Sequence, residues 1–300
     1  MKTLTPLSLD LLGQFSLERN GRACDLAYKK GQGVLAFLAV TPNRRSSRVS
    51  LAALFWPDFP RAAALNNLRQ VLRDLALAIN EAPPGVAALR IDRASVGLAM
   101  DQVENDFSRF VCELPDCPTR PASDSCFPCL AAMEKRAALY RGEFMAGFFL
   151  EDCPGFEEWL QIQREAVHLR MLGLLDRLAN CYERRGRIDK ALGYAQMFMD
   201  MEPWSEDGLQ RVLRLSARHG LRDAALSKYV RWCDAIKREL GVIPSTATQH
   251  LAERIRLGDT GLRVTSVACE TMGEILPSMT MERRQVTVLY CELMVTGEPE

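Results

Sequence analysis

Gly186 and Gly220 lie 34 residues apart in this chain, and the same interval separates Ala191 from Ala225. A period of that length is the span of one pair of antiparallel helices. The glycine falls where the chain reverses between the two helices, and the alanine where they touch. From Phe156 onward the sequence is helical almost throughout. Pro203 and Pro244 punctuate the ends of the second helices, although 41 residues apart, so the second unit is elongated. Two such units with flanking helices, over about residues 156 to 256, are expected to stack into a helical repeat, because neither unit can bury its apolar face alone. The chain is therefore expected to be mainly α.

The N-terminal third reads differently. Imperfect alternation over Leu7–Leu12 and Gln14–Glu18, then Asn20-Gly21 before Ala23–Leu26, predicts a small antiparallel sheet. A buried helix over Lys30–Val40 follows, stopped by Thr41-Pro42-Asn43, and then the basic run Arg44, Arg45, Ser46, Ser47, Arg48. Ser50 reads as the N-cap of a short helix that Pro57 to Pro60 terminates. The clearest helix spans Ala62–Ile79, with Leu65, Leu68, Leu72, Leu75 and Ile79 on one stripe. Ala88–Asp92 and Val96–Met100 then form a two-stranded ribbon. Sheet, helix, short helix, longer helix, hairpin is the order of an α+β winged helix-turn-helix.

On the longer helix the polar face carries Asn66, Arg69, Gln70 and Arg73. These are the side chains whose donors and acceptors match base edges in a major groove, arginine to guanine and asparagine or glutamine to adenine. The upstream cluster Arg44, Arg45 and Arg48 is suited to clamping phosphate. Charge agrees with that placement. The chain is neutral overall, 38 basic against 38 acidic residues, but residues 1 to 105 hold 13 Lys and Arg against 9 Asp and Glu. Such a face is also what any solvated amphipathic helix presents; its position between a short helix and a hairpin makes it a candidate recognition helix.

Ten cysteines occur. Four fall in a segment rich in Pro, Cys and Ser: Cys112, Cys117, Cys126 and Cys129. Cys126 and Cys129 have the two-residue separation at which thiolates chelate one metal ion, so a structural zinc is a candidate, against thiols in a loop. His168, His219 and His250 are scattered along helices without a nucleophile pattern. No phosphate-binding G-x4-G-K-[ST] loop occurs, and Gly31-Gln32-Gly33 lacks the context of one. No catalytic constellation is present, and no enzyme activity is expected of this chain.

Leu11–Phe15, Leu51–Asp58 and Asn66–Leu72 together resemble the DNA-binding half of the antibiotic-regulatory-protein type of bacterial activator. Leu139–Phe144, Phe156–Trp159 and Glu239–Ser245 resemble its second half. Those proteins join an OmpR-like winged helix to a bacterial transcriptional activator domain of tetratricopeptide-like helices. The resemblance covers roughly residues 5 to 257 and implies binding to double-stranded DNA, often by pairs of protomers on direct repeats, with contacts to RNA polymerase. The Pro57–Pro60 loop is the candidate polymerase-facing element, or a rigid turn between helices. The helical repeat is expected to take a protein partner.

Expected domains are a winged helix over 1–105, a Cys-rich connector over 106–135, a tetratricopeptide-like domain over 136–257, and a linker with the start of a further domain over 258–300. In the last segment Glu282–Leu293 is similar to the first strand of class III nucleotide cyclases, with Glu292 at the metal-binding position. No signal segment or apolar stretch of about 20 residues is seen, so the cytoplasm is the expected location and no membrane contact is expected. Two further readings are a helical-repeat scaffold for proteins and the regulatory part of a larger cyclase or ATPase.

Overall fold

The computed structural model describes residues 7–26, 28–80, 87–99, 101–112 and 127–259. The described residues form one compact unit. Glu282–Leu293, Cys117 and Cys126 lie outside the described residues.

Two small sheets frame the N-terminal helices. β1 (Leu7–Asp10), β2 (Ser16–Arg19) and β3 (Arg22–Ala23) form the expected antiparallel meander. A fourth strand, β7 (Val103–Asn105), joins in parallel to β1. The wing pairs β5 (Leu89–Ile91) with β6 (Ser95–Leu98), and β4 (Arg45–Ser47) adds to its other edge.

Between the sheets lie α1 (Lys29–Val40), α2 (Arg48–Phe55) and α3 (Arg61–Ile79). The cap of α2 differs from expectation. Ser47, not Ser50, is the N-cap and accepts from Ser50 N at 2.9 Å. Ser50 sits three residues on and shares a hydrogen bond with the Ser47 hydroxyl. That geometry satisfies one of the amides a helix start leaves without a partner.

α4 (Asp106–Val111) and α5 (Phe127–Ala137) follow. The repeat consists of α6 (Pro154–Arg184) with α7 (Ile188–Met201), then α8 (Glu206–Arg218) with α9 (Arg222–Leu240), closed by α10 (Thr246–Leu257). Gly186 and Gly220 have φ of 71° and 83°, the left-handed turn that a side chain resists. Ala191 and Ala225 are buried at the helix contacts. The 34-residue period is thus a true structural repeat, and the fold is an α+β winged helix followed by a helical repeat.

The two halves share a seam. Asp106, buried, accepts from Leu11 N at 2.8 Å and Leu12 N at 3.0 Å. Arg141 spans Asp106 and Asp10 at 2.9 and 3.0 Å. Backbone bonds stitch Leu11–Gly13 to Arg141–Ala146, including Met145 N to Leu11 O at 2.8 Å. Arg164 of α6 donates to the carbonyls of Phe144, Met145 and Phe148, each at 3.1 Å. Beneath these bonds Phe156 of α6 lies 4.9 Å from Phe55 of α2, and Trp159 lies 5.1 Å from Phe37 of α1, ring centre to ring centre. Gly33 permits this approach: a Cβ there would meet Phe55 at 2.9 Å and Phe156 at 3.2 Å.

Candidate nucleic-acid interface

α3 buries Leu68, Val71, Leu72, Leu75 and Ile79 against α1 and α2, while Leu65 is only half-buried. Its period of about 3.6 residues leaves Asn66, Arg69, Gln70 and Arg73 exposed along one face. All four expected base-reading side chains are therefore brought together. Two of them are pre-set by neighbours: Arg69 donates to Asn66 Oδ1 at 3.2 Å, and Gln70 to Asp74 at 3.3 Å.

The arginines of the upstream cluster separate. Arg45 projects from β4 and donates to Ser95 Oγ at 2.9 Å and to Asp92 in the wing turn. Arg48 is half-exposed at the first turn of α2, where amide dipoles favour an anion. Arg44 turns the other way. It is 8% exposed and donates to Val103 O at 2.6 Å and Ser108 Oγ at 3.2 Å. Burial lowers its pKa. Its backbone is left-handed, φ 48°, following Asn43 at 59°, so the turn itself aims the side chain inward. This corrects the expectation of three outward arginines.

Two cations absent from the sequence expectation stand on the wing: Arg90 on β5 and Arg93 at its turn, both exposed. The ribbon pattern that located the hairpin also marked its tip, where charge is solvated.

The loop after α2 is rooted by Trp56, which is buried, while Pro57, Asp58, Phe59 and Pro60 are exposed. Lys30 of α1 holds that root. It donates to Phe55 O at 2.7 Å and Asp152 Oδ2 at 2.6 Å, and stands 5.0 Å from the Trp56 ring centre. Cys153 donates to the same Phe55 carbonyl at 3.2 Å, and burial pushes its thiol up to about 11.

Of the cysteine set, Cys112 is the residue after α4 and Cys129 lies in the first turn of α5, so the two bracket residues 113–126. In the repeat, His168 contacts Glu202 at 2.6 Å. Buried Glu183 of α6 accepts from Arg214 and Arg218 of α8 at 3.1 and 2.5 Å. No described helix is long and apolar enough to cross a membrane.

Residues 106–256 match the family described as the bacterial transcriptional activator domain. Among solved structures the chain is similar to Mycobacterium tuberculosis EmbR in complex with a low affinity phosphopeptide, at 18% identity and a TM-score of 0.59. The alignment covers 84% of this chain and 65% of that one. At this identity the likeness is one of fold. No curated protein matches the sequence.

Proposed function

This chain belongs to the bacterial transcriptional activator domain family, and from that premise we propose that it is a sequence-specific regulator of transcription that binds double-stranded DNA. The observation that carries the reading is the exposed row Asn66, Arg69, Gln70 and Arg73 on a helix set between α2 and a wing. Side chains of this kind on the second helix of such a motif lie along base edges when the helix enters a major groove. Arg45 on β4, Arg48 on α2, and Arg90 and Arg93 on the wing are its phosphate contacts. Arg44, held inward, supports the turn and takes no DNA. The exposed Pro57–Pro60 loop is the element for contacting RNA polymerase, and the repeat is the platform for a further protein.

The test is a selection from random duplex DNA with the purified chain, followed by titration of the selected site. Arg69→Ala and Arg73→Ala are each expected to weaken binding by about 1 to 3 kcal/mol, roughly 5- to 150-fold, and to relax sequence preference. Unchanged affinity of both variants at moderate salt would overturn the assignment and favour the scaffold reading. Cys112, Cys117, Cys126 and Cys129 are a candidate thiolate set for a structural zinc, the alternative being thiols in a loop. Near-stoichiometric zinc is expected in protein purified without chelator, and its absence sinks that assignment.

A further inference from the structure

α6 is 31 residues long and α7, which packs on it, only 14. Towards its start, Phe156, Trp159 and Arg164 face the seam. Among the described residues, nothing covers the opposite face. Ile162 and Leu169 are 58% and 56% exposed, and Ala166 and Gly173 are exposed between and beyond them. A Cβ added at Gly173 would meet nothing within 4 Å. Intervals of four, three and four residues make this one straight seam, with two large side chains alternating with two small ones.

The charges beside the seam are sorted. Glu158 and Glu165 line one edge, and Arg170 and Arg177 the other, all exposed. In a parallel pair of helices related by a two-fold axis, the acidic edge of each copy faces the basic edge of the other. Glu165 and Arg170 then stand in the five-residue stagger by which flanking charges pair across a coiled coil. An antiparallel pair would set acid against acid. Arg170 gives one guanidinium nitrogen to Val111 O at 3.3 Å and keeps the rest of its fork for a partner.

We propose that this face of α6 is a self-association surface on which two copies of the chain pack in parallel, Ile162 and Leu169 of each filling the space over Ala166 and Gly173 of the other. It depends on α6 alone and not on the DNA-binding reading, so either can fail without the other. The seam is about 17 Å long at 1.5 Å per residue, short for an interface. Self-association is accordingly expected only in the micromolar range.

The experiment is sedimentation velocity of the full chain without DNA across that range. Wild type is expected to shift from monomer to dimer. Glu165→Arg and Arg170→Glu should each remain monomeric, and an equimolar mixture of the two should recover a heterodimer, because the opposed charges again match. Leu169→Glu should be monomeric with an unchanged helical circular-dichroism spectrum. A wild type that stays monomeric throughout overturns the proposal and leaves the seam to a different protein. So does a dimer that persists in both charge variants, or a mixture that fails to recover one.

Discussion

The guanidinium at position 44 is held between Val103 O and Ser108 Oγ, while that at position 45 stands in solvent beside Asp92. Removing each should separate stability from binding. Arg44→Ala empties a buried, hydrogen-bonded site and is expected to lower unfolding free energy by about 2 kcal/mol, read from a urea titration, with DNA affinity unchanged. Arg45→Ala should leave stability within about 0.5 kcal/mol and reduce the slope of log affinity against log salt by about one. In the linear sequence the two arginines are equivalent, because a basic run does not say which member faces the interior. The left-handed turn at Asn43 and Arg44 decides it, and neither residue is the glycine that would have announced such a turn. Asn66, Arg69, Gln70 and Arg73 were legible because helical periodicity alone fixes their face.

At the scale of elements, one carboxylate of α5 gathers three donors of the repeat. Glu134 accepts from Tyr182 Oη at 2.5 Å, Lys190 Nζ at 3.1 Å and Tyr194 Oη at 3.2 Å. The Tyr182 bond is the main influence holding its carboxyl below the ordinary value, against a desolvation that raises it. A depressed folded pKa means that the fastening contributes its full stability above the ordinary glutamate range and loses it as pH falls through the folded value. Amide exchange in α5 should therefore accelerate relative to α8 on acidification, and Glu134→Gln should abolish that dependence. An α5 whose exchange tracks α8 at every pH contradicts the account. The repeat helices were readable from their glycine and alanine spacing. β7 was not: three residues carry no usable alternation, and what makes them a strand is the edge that β1 offers from nearly a hundred residues away. The α2 cap is hidden from the sequence for a similar reason, since Ser47 and Ser50 have equal capping propensity and only the chain path chooses.

For the whole molecule, the seam predicts that the winged helix and the repeat unfold together. Phe156→Ala is expected to cost about 3 to 5 kcal/mol and to lower one calorimetric transition rather than split it. Two separate transitions, with only one moved, would show the halves to be independent. This coupling was hidden in the sequence, where the change from mixed to helical pattern reads as a boundary. Asp106, Arg141 and Phe156 are ordinary residues until the fold brings them to one place.

α6 enters the seam with its first turns and becomes the opening helix of the repeat with its last, a continuous rod of about 46 Å at 1.5 Å per residue. No break interrupts that rod between the seam and the repeat. On the proposed function, a partner docked on the repeat would reach α3 through α6 and the α2 that packs between them, turning the angle at which the proposed recognition helix meets DNA and leaving its shape alone.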